Sequence, residues 1–333
     1  MIVKDFKHQQ SAHCENGVTL SLLKHYGIEL TEPLIFGIGA GLFFTHLPFV
    51  KLNGVPGTSF RIMPGYIFKK VCKELGVKMK VQKFSSPEKA TRALDEALAN
   101  NHPVGLQSSV YFLPYFPPAW RFHFNAHNLI VYGKEGDEYL VSDPIMETAT
   151  RLGAADLQKA RFAKGFPAPN GKMYYPVQAY GKANLPAAII KGMKKTCFFM
   201  LSSPPPLFGY HGMVYLGKKI KKYPEKLGGR KAALYIGSIV RMQEEIGTGG
   251  GGFRFLYAAF LQEAAAILQD DRFLTMSGEM TSIGDEWRNF AFSCARVMKD
   301  RSGSLSSYEE LGNMMIALGA REKDFFTRLK QML

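Results

Sequence analysis

Between Ala126 and Asp143 two apolar runs flank Gly133-Lys134-Glu135-Gly136-Asp137, a turn-forming segment of hairpin-loop length. The pattern predicts a β-hairpin. A turn centred on Glu135 sets residues whose numbers sum to 270 opposite each other. Val131 then meets Tyr139, Leu129 meets Val141 and His127 meets Asp143, all six side chains on one face of a sheet.

Helical signals surround this hairpin. From Cys14 onward Val18, Leu22 and Tyr26 recur at a spacing of four, Leu23 widens the stripe, and Gly27 supplies a left-handed stop. Cys14 therefore opens the first turn of a helix. A second helix is expected over Tyr66 to Leu75 and a strand over Val77 to Lys83. Ser86 as N-cap with Pro87 at the first helical position starts another helix, with Ala90, Ala93, Leu94, Ala97 and Leu98 as its buried stripe. Val104 to Ser108 resumes as a strand, and Gly37 to Gly65, rich in Gly, Pro and aromatics without a sustained period, reads as loops.

At 333 residues the chain suits two domains better than one. Ser202-Ser203-Pro204-Pro205-Pro206 looks like a linker, and helices follow at about 228–245, 253–269, 271–299 and 306–331. The expected fold is α+β: an antiparallel-sheet domain over 1–200 and a helical bundle over 201–333. An apolar share of 46% is enough for packed cores and excludes the composition of a disordered chain.

Lys and Arg number 42 against 28 Asp and Glu, a formal charge of +14 that favours anionic partners. The basic residues lie in short groups such as Lys191 to Lys195 and Lys218 to Lys222, without a nucleic-acid module, so no nucleic-acid partner is expected. Cys14, Cys72, Cys197 and Cys294 are far apart and form no CxxC pair, which argues against a zinc knuckle or a disulfide frame. The polar start from Met1 to Gln10 and the absence of a run of ~18 apolar residues point to a cytoplasmic protein without a membrane partner. The sequence calls for no cofactor and leaves the oligomeric state open.

A thiol is a weak nucleophile until ionised, and a helix N-terminus favours the thiolate. Cys14 has that location. A nearby imidazole would take and return the proton, and an acidic residue would hold the imidazole's tautomer, the pair supplied by His127 and Asp143. The hairpin brings those two together but says nothing about Cys14. A helix-borne Cys, then a strand-borne His, then an acidic residue on the next strand is the papain-like order. Two other readings stand beside it: Cys14 as core filler, and Cys14, His123, His127 and Asp143 as metal ligands, a set that lacks tight ligand spacing.

Gln9 or Gln10 is a candidate side-chain donor to an oxyanion, together with the Cys14 backbone amide. His8, His13 and Asn16 flank the same segment, with His13 and Asn16 as candidates for substrate binding. Gly247-Thr248-Gly249-Gly250-Gly251-Gly252 precedes a helical pattern starting Phe253-Arg254, so Gly250, Gly251 and Arg254 are candidates to bind a carboxylate or phosphate, with Tyr257 lining the site. No P-loop lysine follows the glycines, and a flexible connector is the plainer reading.

In combination, His13-Cys14-Glu15-Asn16 with Leu20, Leu22 and Leu23, Gly37 to Gly41, Asn125-Ala126-His127-Asn128 and Ser142-Asp143-Pro144 resemble the butirosin biosynthesis protein H family. Thr248 to Ala264 resembles the helical domain of unknown function that commonly follows its N-terminal domain. The resemblance implies a papain-like fold related to bacteriocin-leader peptidases and, for the namesake, transfer of an acyl group from a carrier-protein thioester to an aminoglycoside amine. It implies Cys14, His127 and Asp143 as the catalytic residues, with an acidic acyl carrier protein and a small-molecule amine or a peptide as partners. Hydrolysis of an amide or peptide by the same triad is the first alternative, and a non-catalytic binding protein the second.

Overall fold

Helix α1, Cys14–His25, starts where the periodicity places it, but its stripe is no guide to its surroundings: every residue from Cys14 to Leu23 is buried. The computed structural model describes residues 1–52, 54–179, 184–299 and 305–333. After α1 come α2 Glu32–Ile38, β1 Leu42–Leu52, β2 Val55–Arg61, α3 Tyr66–Glu74, β3 Val77–Gln82, α4 Pro87–Ala99 and β4 Val104–Ser108. Then follow β5 His127–Glu135, β6 Glu138–Ser142, β7 Thr150–Gly153, α5 Ala154–Arg161 and β8 Met173–Ala179. Among the described residues, the elements that follow are helices: α6 Leu185–Leu201, α7 Gly209–Ile220, α8 Tyr223–Leu227, α9 Gly229–Glu244, α10 Arg254–Leu268, α11 Arg272–Lys299 and α12 Leu305–Met332. The fold is α+β, with antiparallel sheets and a helical C-terminal region.

The chain divides into one unit of residues 1–35 and 64–184 and a second of 36–63 and 185–333. This differs from the expected boundary after residue 200, because α6 belongs to the second unit and Ser202 to Pro206 joins α6 to α7 within it. The first unit carries an antiparallel sheet of six strands, ordered β3-β8-β4-β5-β6-β7. Leu94 and Leu98 of α4 join Leu106, Leu129, Val131 and Val141 of the sheet in its core. Burying those side chains removes apolar surface from water at roughly 25 cal/mol per Å².

Two caps in this unit come from unlike sources. Ser86 accepts a hydrogen bond from Lys89 N at 3.3 Å, as the sequence predicts for α4. The residue before α3 is Gly65, with φ +81 and no side chain to offer, so Glu15 of α1 supplies the acceptor, its Oε1 3.1 Å from Ile67 N. Glu15 can therefore sit fully buried without losing its hydrogen bonding.

The predicted hairpin is β5–β6, with a different register. Glu135 pairs with Glu138 across Gly136 and Asp137, and Gly136 takes φ +57. From Glu135–Glu138 to Gly133–Leu140 the numbers of paired residues sum to 273; beyond the irregularity between Val131 and Gly133, Val131–Val141 and Ile130–Ser142 sum to 272. The extra residue at Tyr132 thus restores odd-with-odd pairing, so His127 and Asp143 keep the same face but meet diagonally rather than directly. The Tyr132 carbonyl is not left open, for Val3 N donates to it at 2.8 Å.

Residues 37–65 are not loops throughout: β1 and β2 form a hairpin in the second unit. Register shifts between Leu42 and Thr45, and again between Leu47 and Lys51, break the alternation. Phe43 and Phe44 are consequently both buried, which hides a period of two from sequence inspection. Within this unit Phe44 and Phe60 stand 6.0 and 5.3 Å from the ring of Trp287 in α11. Helix α7 approaches α12 through glycines, since a Cβ on Gly217 would lie 2.7 Å from the Gly312 carbonyl oxygen. Among the described residues, no helix is long and apolar enough to cross a membrane.

Candidate active site

The segment before Cys14 is tied down at several points. The Glu32 carboxylate accepts from Ala12 N at 2.9 Å and His13 N at 2.8 Å, and Ser11 N donates to the Pro144 carbonyl at 2.8 Å. His13 is the N-cap of α1, its Nδ1 accepting from Asn16 N at 3.3 Å. Gly17, one turn into the helix, lets Pro144 come close: a Cβ there would lie 2.5 Å from Pro144 Cβ. The residue after Asp143 is thereby pressed against the helix that starts with Cys14.

At the sheet end of this contact, His127 Nε2 and Asp143 Oδ2 are 2.6 Å apart. The ring's remaining nitrogen, Nδ1, is the one left for the side-chain hydrogen bond between His127 and Cys14. Ile145 N donates to Asp143 Oδ1 at 3.1 Å, the Tyr115 hydroxyl donates to Oδ2 at 2.8 Å, and Phe116 sets its ring edge-on to the imidazole at 5.5 Å. Burial by itself opposes charge on His127, but the charge and hydrogen bond of Asp143, aided by Cys14, outweigh it and raise the imidazole to about 10. Burial, then Asp143, pushes the Tyr115 phenol well above its ordinary range, so it remains a donor.

These contacts set Cys14 apart from the other thiols. Burial raises Cys72 and Cys197 to about 12 and raises Cys294 further. Such thiols are poor nucleophiles at neutral pH. Cys14 instead has an imidazole beside it and the positive end of α1 around it.

The other candidates have local roles. Gln9 Oε1 accepts from Lys24 Nζ at 3.2 Å and Gln10 Nε2 donates to the Ile145 carbonyl at 3.4 Å. His8 bridges Ser142 Oγ at 2.7 Å and the Met146 carbonyl at 3.0 Å. His13 Nδ1 caps α1 and Asn16, fully buried, lies against Glu32, so both help to fix the start of α1. His123 stacks on Tyr111 at 4.2 Å.

Gly250, Gly251, Arg254 and Tyr257 belong to the second unit. Its glycine loop does hold an anion, but one from its own chain: Gly251 N donates to the Glu244 carboxylate at 3.1 and 3.3 Å, while Gly250 N donates to Thr248 Oγ1 at 3.1 Å. Arg254, fully buried, forms a two-pronged pair with Glu322 at 2.8 and 2.9 Å, and Trp287 Nε1 donates to the same carboxylate at 2.7 Å. Tyr257 is fully buried. The expected carboxylate or phosphate site is thus an internal structural network.

Sequence reading missed Asn128, Tyr115 and Tyr174. Asn128 Nδ2 lies 3.9 Å from Cys14 Sγ, and the Tyr174 hydroxyl donates to Asn128 Oδ1 at 2.7 Å. Strict alternation turns a residue adjacent to His127 to the other face of its strand, which hides Asn128 from a face-based search. Its one visible signal is its place in Asn125-Ala126-His127-Asn128.

Residues 13–144 match the family model described as Butirosin biosynthesis protein H, N-terminal, and residues 155–329 match that of a domain of unknown function, DUF4872. No curated protein matches the chain. One solved structure, described as a C39-like peptidase from Bacillus anthracis, is 14% identical, covering 54% of this chain and 98% of that one at a TM-score of 0.38.

Proposed function

We propose, because this chain belongs to the family in which a butirosin biosynthesis protein H N-terminal domain precedes a DUF4872 domain, that it is a papain-like cysteine enzyme transferring acyl groups through an acyl-enzyme on Cys14. The observation that carries the reading is the position of His127, hydrogen-bonded to Cys14 on one side and to Asp143 on the other. A cationic imidazole favours the adjacent thiolate.

The thiolate attacks the carbonyl carbon of a thioester, forming a C–S bond while the carbonyl π electrons move to oxygen. Collapse expels the donor's sulfur, which leaves as a thiol with the proton from His127. An incoming amine then attacks the acyl-enzyme and gives a proton to His127. The bond to Cys14 breaks, returning the thiolate and releasing an amide. A formal charge of +14 suits an acidic carrier protein as donor.

Intact-mass measurement after incubation with acyl-pantetheine thioesters tests this. Wild type should gain one acyl group and Cys14→Ala none. Equal adducts would remove Cys14 from the chemistry. Faster loss of the adduct in the presence of amines identifies a transferase; clearance by water at the same rate with and without amines identifies a hydrolase and overturns the transfer step.

A further inference from the structure

We infer that Asn128 supplies the side-chain hydrogen bond to the oxyanion formed at Cys14, and that Tyr174 positions it; the inference rests on the acyl-enzyme reading above. The orientation of the Asn128 amide follows from its neighbours. The Ala126 carbonyl, 3.1 Å away, can only accept, so the amide atom beside it is Nδ2. Oδ1 therefore receives the Tyr174 proton, and the second hydrogen of Nδ2 is available toward Cys14 Sγ.

This arrangement is held rigidly. Asn128 is fully buried and Tyr174 nearly so. The Tyr174 ring lies over Gly105, where a Cβ would come within 2.6 Å of it, and against Phe68 at a centroid distance of 4.6 Å. A side chain at 105 would displace the ring and with it the hydroxyl that fixes the amide.

A sulfur attacking a carbonyl places the developing oxyanion one bond away from the carbon it has joined. An oxyanion donor has to stand about 3 Å from that oxygen rather than from the resting sulfur. Nδ2, at 3.9 Å from Sγ, leaves room for an oxygen on that side. Gln10 Nε2 is engaged by the Ile145 carbonyl, and Gln9 Oε1 by Lys24. When the thiolate adds to the carbonyl, the negative charge passes from sulfur to oxygen, and the same N–H follows it without reorganisation.

Alkylation separates this role from a structural one, because iodoacetamide reacts with Cys14 by displacement at carbon and forms no oxyanion. The rate of mass gain is measured with acetyl- and octanoyl-pantetheine and, separately, with iodoacetamide, for wild type, Asn128→Ala and Tyr174→Phe. The ratio of acylation to alkylation should fall by about a hundredfold or more in Asn128→Ala, and by less, in the same direction, in Tyr174→Phe. An unchanged ratio in both variants overturns the assignment. If Asn128→Ala does not fold, as seen by circular dichroism, the Tyr174→Phe ratio decides alone. A wild type that iodoacetamide labels at Cys14 but neither thioester acylates overturns the acyl-enzyme reading itself.

Discussion

Tyr115 donates to the oxygen of Asp143 that also holds His127, its hydroxyl 2.8 Å and the imidazole Nε2 2.6 Å from Oδ2. With Ile145 N on Oδ1, the carboxylate is gripped at both oxygens and fully buried. Hydrogen bonds to charged groups contribute about 1.5–3 kcal/mol each. Tyr115→Phe should therefore lower the urea midpoint by a matching amount with an unchanged slope. An unaltered midpoint would mean that the phenol adds nothing to the anchoring of Asp143.

The charge on His127 makes stability depend on pH. Its pKa is raised in the folded protein from 6.5 to about 10. The stabilisation from its ionised partnership is fully present below about 6.5 and disappears as pH rises through about 10. In Asp143→Asn the burial that opposes the cation is no longer outweighed. The stability gap between wild type and Asp143→Asn should shrink as pH is raised from 6 to 10 in denaturant titrations; a constant gap would show that the imidazole is not held as a cation.

Gly17→Ala sets two effects against each other. Alanine in place of glycine inside a helix ordinarily gains about 1 kcal/mol. Here the new Cβ would meet Pro144 Cβ at 2.5 Å and Ser11 Cβ at 2.7 Å. A proline ring has little freedom to yield, and overpacking costs about 1–3 kcal/mol. The variant should be less stable than wild type and slower to alkylate at Cys14; a gain in melting temperature would show that α1 and Pro144 can separate freely.

Two acidic residues of the second unit should behave oppositely. Glu322 is fully buried against Arg254 and Trp287, and its removal leaves a buried guanidinium without its carboxylate, costing about 3–5 kcal/mol. Glu309, half-exposed, pairs with Lys221 at 2.6 Å, and such surface pairs contribute about 0–1 kcal/mol. Glu322→Ala should therefore shift the denaturation midpoint strongly and Glu309→Ala hardly at all, and equal shifts would refute the ranking.

Local signals in the sequence identified the elements they govern. Ser86 with Pro87 fixes the start of α4, Gly27 follows the end of α1, and Val104 to Ser108 is β4 itself. The site was legible in part, because the alternating pattern keeps His127 and Asp143 on one face even though the register differs from the simple turn geometry. The bulge at Tyr132 was not legible, since nothing in a single strand marks which residue its partner leaves unpaired. Asn128, Tyr115 and Tyr174 come from three separate segments and depend on tertiary approach. The glycine loop misled for a related reason: an anion-binding loop looks the same whether the anion is a ligand or Glu244.

The second unit draws its hairpin from an early part of the chain and its helices from the end. During translation, Phe44 and Phe60 leave the ribosome long before Trp287 exists to cover them. The nascent chain must carry these rings without their Trp287 neighbour until α11 is made. A gene cut after residue 200 would make that waiting permanent in one fragment and would deprive the other of its own aromatic wall.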